Sequence, residues 1–553
     1  MTDAILTTLA CVADRILHTA IPDFTICGTT LSGIKPLFVS ILHRENVQYA
    51  AMVLNGHLVS PAGEMKQDAR ASLVRCYGGE LDFLGQSVAL LNSLPATSKG
   101  MEKIMLGPNV SSAIYGSIQS HLLNKQSAFG FADDHLNILR LSKEQAAVHE
   151  FPARFVKPDV KTWVAQAEEL TEKLSAQPGV IQAKMSYQAF HGKQRIVTSE
   201  GTRLLLPREI GVSSLELSVL TEKSERYTIG LPIYRNKAQR VVEDFSLYGD
   251  PAFLQKKLDV ASLEELIVYM RKAVHAPSGQ RDVVLDPHAF GVLLHEGILA
   301  HLVSLSYLLQ GYNNTFQPKR IGERILPECL TVIDDPLVSK NLLGEEGLGS
   351  YPYDDEGVLP QRVTIVEKGL FKGGYLSDRE SAGLAPKMYP ELAITGSNGH
   401  ARIGALTIDE EGKPITPEPR ISNLIAIPET YGVECVQDLV ENLKAKNGLY
   451  VMGGGGMVDV ETGNFIMDPN VVWEYTKKGK TLLNGAFLPL NALATEYIKT
   501  VSKETAVNSG LCGAVSGFVP TTETTPGAYL ARVAVQLQTP EPVQKNLFKE
   551  AGT

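Results

Sequence analysis

The sequence predicts an α+β protein, with α+β units built on antiparallel sheet in the N-terminal part and a β-rich, barrel-like C-terminal domain. Three observations carry that prediction. Residues 180–233 run through successive β-rich stretches with alternating apolar and polar positions, as a meander of antiparallel strands requires. Segments with apolar residues at helical spacing stand before and after the meander. Beyond Pro327 the texture changes to short β-rich runs punctuated by glycine, from CLTVIDD to YLARVAVQLQ.

Taken in order, MTDAILTTLACVADRILHTAIP reads as an amphipathic helix, because Asp3, Asp14 and Arg15 interrupt the apolar run a signal peptide needs. The cytoplasm is the expected location. PLFVSILHRENVQYAAMVLNGHLVS gives two β-rich stretches around a polar turn, and SLVRCYGGELDFLG adds a third strand. Residues 108–150 read as helix, ending in the charged KEQAAVHE, and the proline-bearing FPARFVKPDV marks a boundary. A second amphipathic helix covers 160–176. After the meander, SLEELIVYMRKAV predicts a helix with Ser262 as N-cap and Glu265 three residues on, followed by a strand RDVVLD. The expected units are 1–155, an N-terminal α+β extension; 156–326, a central α+β domain; and 327–553, the β-rich domain, with its last residues PEPVQKNLFKEAGT frayed.

Composition narrows the function. With 52 Lys+Arg against 61 Asp+Glu and no run of like charges, the chain lacks the basic footprint of direct nucleic-acid binding. Six cysteines at wide spacings, with no CxxC pair, exclude a disulfide scaffold or a zinc knuckle and fit a reducing compartment. AFGVLLHEGILAHLVSLSYLL, residues 289–309, is about as long as a bilayer span. Its His295, Glu296 and His301 would lie near the bilayer centre, where ionisable groups are costly, so a buried helix with a polar cluster is expected and no membrane partner.

That cluster is the most informative feature of the chain. Zinc peptidases present imidazoles from a helix and use an adjacent Glu as general base. Spacing limits the analogy: at ~100° per residue, His301 lies ~240° round from His295, so on an undistorted helix the two cannot share one ion. Gly297 permits a kink, and serves close helix packing equally well. GGGG at 453–456 has no Lys-Ser/Thr after it and opens no helix, which argues against a phosphate loop. Packing within the fold or an extended peptide laid along an edge are its two readings, and Gly454, Gly455 and Gly456 are the candidate substrate-binding residues. The acidic runs Asp334-Asp335 and Asp354-Asp355-Glu356 are read as turns at strand ends.

From about 160 to 540 the chain resembles the TldD/PmbA family, a zinc metallopeptidase and its non-catalytic relative once called modulators of DNA gyrase. The resemblance rests on LDPHAFGVLLHEG, LTVIDDP, YPYDDEGVLPQ, VEKGLFKGGYLSDRESAG, GLYVMGGGGMVDVETGNFIM and NSGLCG, in that order. The family holds its metal by an HExxxH motif and a late cysteine, with the motif Glu as base. That implies one zinc ion on His295 and Cys512 with Glu296 as catalytic base. The second motif histidine falls on Ala300 here, and the imidazole stands one position later, making His301 the third candidate ligand. The resemblance also implies short or unfolded peptide substrates, cut inside the chamber of a homodimer or of a heterodimer with a paralogue. The alternative it leaves is a non-catalytic PmbA-like subunit or scaffold that pairs with an active partner.

Overall fold

The computed structural model describes residues 3–18, 24–26, 29–31, 35–60, 63–80, 83–130, 140–152, 159–234, 260–276, 278–299, 301–312, 316–338, 347–444, 446–460, 462–491 and 496–537. The expected frayed end at 540–553 and most of the expected boundary at 151–159 lie outside them, as does Ala300.

Helix α1 (Ala4–His18) buries Leu6, Leu9, Val12, Ala13 and Ile16 on one stripe, as its periodicity predicts. The two stretches expected around a polar turn are instead one strand, β1 (Pro36–Leu54). Its polar middle stays in the sheet because the buried His43 bonds Ser72 and the buried Arg44 bonds Gln194 and Asp355. β2 (Gly63–Glu80) and β3 (Phe83–Leu91) follow, then α2 (Pro108–Gly130). KEQAAVHE does not continue that helix: Val148–Glu150 is a short strand paired with Arg203–Leu205.

Beyond α3 (Val160–Ser175), the expected meander is three long strands, β4 (Val180–Thr198), β5 (Arg203–Leu220) and β6 (Arg226–Tyr234). Together they form a sheet in the order β6-β5-β4-β1-β2-β3. Strands from either side of residue 155 therefore lie side by side, with β1 and β4 antiparallel from Ser40↔Thr198 to Leu54↔Lys184. Alternation on β4 turns Ala183, Met185, Tyr187 and Ala189 towards Trp163 and Ala167 of α3, which forms one core.

Helix α4 (Val260–Arg271) begins two residues before the expected cap Ser262. β7 (Gly279–Leu285) then leads into α5 (Pro287–Val292), a π-helix (Leu293–Leu299) and α6 (Leu305–Leu309). The long apolar segment is thus broken rather than one helix. Among the described residues no helix is long and apolar enough to cross a membrane.

The C-terminal half adds β8 (Leu330–Asp334), β9 (Val363–Glu367), α7 (Arg379–Met388), β10 (Asn423–Pro428) and β11 (Leu449–Met452). The strands β12 (Gly455–Val458), β13 (Asn464–Asp468), β14 (Val471–Thr476), β15 (Gly479–Asn484), β16 (Ala486–Asn491), β17 (Ile498–Cys512) and β18 (Val519–Leu537) complete it. The mixed sheet runs β15-β14-β11-β7-β18-β10-β8-β9, with β17 on β18 and β12-β13-β16 branching from β18. It is β-rich as predicted but open, ending in the short strands Val274–His275 and Leu370–Phe371 instead of closing as a barrel. The segment that resembled a membrane span is the centre of its core: Phe290, Leu293, Leu294, Ile298 and Leu299 pack with Leu424, Val451, Phe465 and Leu530.

The loop Asp354-Asp355-Glu356 is not a solvated turn. Asp354 and Glu356 are buried, Arg75 bonds Glu356 at 2.6 Å, and Arg44 and Gln194 bond Asp355 at 3.1 and 2.7 Å. These pairs tie the first sheet to the C-terminal half.

Candidate metal centre

The site is built from the end of β7. Asp286 caps α5 by accepting the Ala289 N–H at 2.7 Å, Pro287 occupies the first helical position, and the same carboxylate accepts the Gly453 N–H at 3.0 Å. After Val292 the helix widens to π geometry, a form that recurs at functional sites, and this turn carries His295, Glu296 and Gly297. A Cβ on Gly297 would stand 2.7 Å from Cδ1 of the Phe465 ring, so the glycine serves close packing. The π turn ends at Leu299, two residues before His301. Six residues therefore do not follow α-helical rotation, and the two imidazoles face each other with ring centroids 5.8 Å apart.

Cys512 arrives from the end of β17, 217 residues after His295. Its sulfur lies 3.0 Å from His295 Nε2 and 3.4 Å from His301 Nε2. Glu296 places Oε2 at 3.2 Å from His301 Nε2 and Oε1 at 3.9 Å from His295 Nε2. One donor atom from each of His295, Glu296, His301 and Cys512 falls within 4.8 Å of all the others, and His295, His301 and Cys512 are buried.

These donors fit a zinc ion in kind and in spacing. Two imidazole nitrogens and a thiolate are zinc ligands, and the N···S edge of a tetrahedron with bonds of ~2.1 and ~2.3 Å is about 3.6 Å. Both observed N···S separations come within ~0.6 Å of that edge.

The charges of the cluster support one another. Burial opposes ionisation of Cys512, yet the His295 and His301 charges, Arg420 and the His295 hydrogen bond hold its thiol well below the ordinary value. Burial also opposes the imidazolium forms, but the Cys512 sulfur raises His295 well above its usual range and His301 to about 9, helped in each by a carboxylate. Glu296 is lowered despite burial, first by its hydrogen bond to His301. A divalent cation would replace these protons on the same atoms.

Two residues of the site carry no signal in the sequence. Glu523 on β18 sits 2.6 Å from His295 Nδ1, and because a carboxylate only accepts, Nδ1 carries the proton and Nε2 faces the sulfur. Arg420, buried, donates through Nη2 to the Cys512 carbonyl at 2.6 Å and sulfur at 3.0 Å, and through Nη1 to Ser516 Oγ and the Gly517 carbonyl. It pins the turn that presents the thiol. Neither residue adjoins a motif in the chain, so no pattern could have found them. Beside this turn opens a cavity of about 890 Å³, lined among others by Tyr307, Asp378, Lys413, Glu418 and Val515.

The glycines of the run differ in what surrounds them. Gly456 gives up its side chain to Phe465, since a Cβ there would lie 2.2 Å from the ring. Gly454, at φ +141°, needs glycine for its backbone, and a Cβ on Gly455 would meet nothing within 4 Å. Among the described residues β12 pairs with β13 alone, which leaves its other edge unpaired.

Residues 278–484 match the family model described as the PmbA/TldA metallopeptidase C-terminal domain. A metalloprotease of Methanocaldococcus jannaschii is 29% identical over 342 residues, covering 61% of this chain and 66% of that protein. Over residues 278–484 the chain is similar to the TldD/PmbA family. A relative named zinc metalloprotease TldD homolog, from Saccharolobus solfataricus, is 26% identical over 259 residues, 46% of this chain and 51% of its own. The matches to these two relatives thus span 51% to 66% of their length. The fold is shared with TldE from Thermococcus kodakarensis, at a TM-score of 0.56 and 17% identity over 90% of this chain and 96% of that one.

Proposed function

We propose that this protein is a zinc-dependent peptidase in which His295, His301 and Cys512 hold one ion and Glu296 is the general base. The observation that carries the reading is the convergence of these four side chains, from a π turn and a distant strand end, on one buried point. Bound zinc supplies Lewis acidity, polarising a peptide carbonyl and acidifying water. The chain's own residues do the rest. Glu296 offers carboxylate oxygens at the centre to take a proton and later return it to the leaving amine. Glu523 keeps His295 Nδ1 protonated, and Arg420 holds the Cys512 turn in place. The unpaired edge of β12, starting at the open Gly455, gives an extended peptide main chain a place to lie, with Gly454 and Gly456 at its side. Substrates on this reading are short or unfolded peptides, cut in a chamber formed by two copies or by this chain and a paralogue.

A second reading is favoured by one observation, the displacement of the second histidine to His301: a non-catalytic subunit that completes the chamber of an active partner. Metal analysis separates the two. Wild type carrying near-stoichiometric zinc, lost in Cys512→Ala and His301→Ala, together with cleavage of unstructured peptides that Glu296→Gln abolishes, supports the peptidase. Zinc-free protein after supplementation sinks it.

A further inference from the structure

We propose that Glu523 is the positioning residue of this centre, fixing His295 with Nε2 turned to the metal, and that Gly291 is glycine so that Glu523 can reach it. The inference rests on the zinc reading of His295 and Cys512 and adds to it a carboxylate outside every motif and a role for a glycine four residues before His295.

The geometry is specific. Glu523 lies in the middle strand of the C-terminal sheet, paired with Asn508 on one side and Leu424 on the other, so its backbone is fixed by neighbours on both edges. Its side chain is 8% exposed and that of His295 6%. A buried carboxylate is expensive unless bonded, and Glu523 spends an oxygen on His295 Nδ1 at 2.6 Å. Metal-binding histidines generally donate their second ring N–H to such an acceptor, which sets tautomer and ring orientation. Here the ring is held at both ends, by Glu523 at Nδ1 and by the 3.0 Å approach of Cys512 at Nε2.

Gly291 supplies the space. It stands four residues before His295, one turn back on the same face. A Cβ there would lie 3.0 Å from Glu523 Cβ and 3.2 Å from Thr525 Oγ1. That contact is tighter than side chains accept without moving, and what must give is the stem of the carboxylate. Gly291 has no left-handed φ, so conformation does not explain it. Thr525 itself donates to the Pro287 carbonyl, which locks the strand against the helix start.

The test uses the full chain with histidine labelled by ¹⁵N. Zinc affinity is measured by chelator competition for wild type, Glu523→Gln and Gly291→Ala, and the Nδ1-bound proton of His295 is followed by NMR with and without zinc. Glu523→Gln keeps the shape and removes the charge, so zinc binding weakens by about 10- to 100-fold. Gly291→Ala moves it in the same direction, and the downfield Nδ1 proton of wild type shifts in both variants while their melting temperatures stay near wild type. Affinity within about two-fold of wild type, beside an unmoved Nδ1 proton, overturns the proposal. If one variant unfolds, the other decides by the same two readouts. Should wild type bind no zinc, the metal reading fails on its own account, and the Nδ1 proton in zinc-free protein still decides whether Glu523 orients the ring.

Discussion

Replacing Gly297 by alanine separates conformation from packing at the heart of the site. Helix propensity alone predicts a gain, since alanine is favoured over glycine by about 1 kcal/mol within a helix. The structure predicts a loss. The new Cβ would sit 2.7 and 3.0 Å from Cδ1 and Cγ of Phe465 and 3.2 Å from Leu293 Cδ1. Phe465 is 1% exposed and meets Gly456 on its other side, so its ring has nowhere to retreat. Overpacking of this kind costs about 1–3 kcal/mol, and with a buried ring that cannot retreat the upper part of that range applies, so that after the propensity gain a net loss approaching ~2 kcal/mol is expected. Urea denaturation followed by far-ultraviolet circular dichroism measures it, with Phe465→Leu and the double variant completing a cycle. The double variant is expected to recover stability relative to the sum of the singles by about 0.5–3 kcal/mol. A Gly297→Ala protein as stable as wild type, or a cycle with no coupling, would show that the glycine is there for another reason.

Two further outcomes follow from the buried charges. Arg75→Leu leaves Glu356 without the partner it holds at 2.6 Å and is expected to cost about 3–5 kcal/mol, part of it recovered by adding Glu356→Gln; a loss under ~1 kcal/mol in denaturant titration counts against a structural role for the pair. Asp378 is pushed up to about 7 by burial and by the neighbouring Glu356 and Glu380. Its folded state therefore keeps the proton that an unfolded carboxyl releases near pH ~3.9, so wild type loses stability as pH rises from about 4 through 7. Asp378→Asn removes that slope and gains on wild type across the same window, by at most ~4 kcal/mol at ~1.4 per pH unit. Melting temperatures at pH 4 and pH 8 check it, and an equal difference at both values refutes the assignment.

The sequence disclosed the kinds of element more readily than their lengths. The amphipathic helices α1 and α3 were plain because each buries one stripe of its own residues. β1 was not, because His43 and Arg44 look like a turn until Ser72, Gln194 and Asp355 supply their partners from remote strands. At the centre, His295, Glu296 and Cys512 stood out by chemistry and by motif. The reach of His301 was hidden, because the rotation argument assumed 3.6 residues per turn and the chain adopts a π turn that stops short of it. Glu523 and Arg420 were invisible for a different reason: they act from 228 and 92 residues away and belong to no local pattern.

The antiparallel pairing of β1 with β4 bears on how the chain is made. A ribosome must deliver residues out to Thr198 before Ser40 can find its place, so the N-terminal strand waits through well over a hundred residues of synthesis. Until then one long edge of β1 lacks its partner, and a bare strand edge is the kind of surface that captures other chains. The same pairing means that the first 150 residues, the part without a motif, cannot be trimmed as an appendage. Cutting them away would strip β4 of a neighbour along most of its length and turn an interior strand of the sheet into an exposed edge.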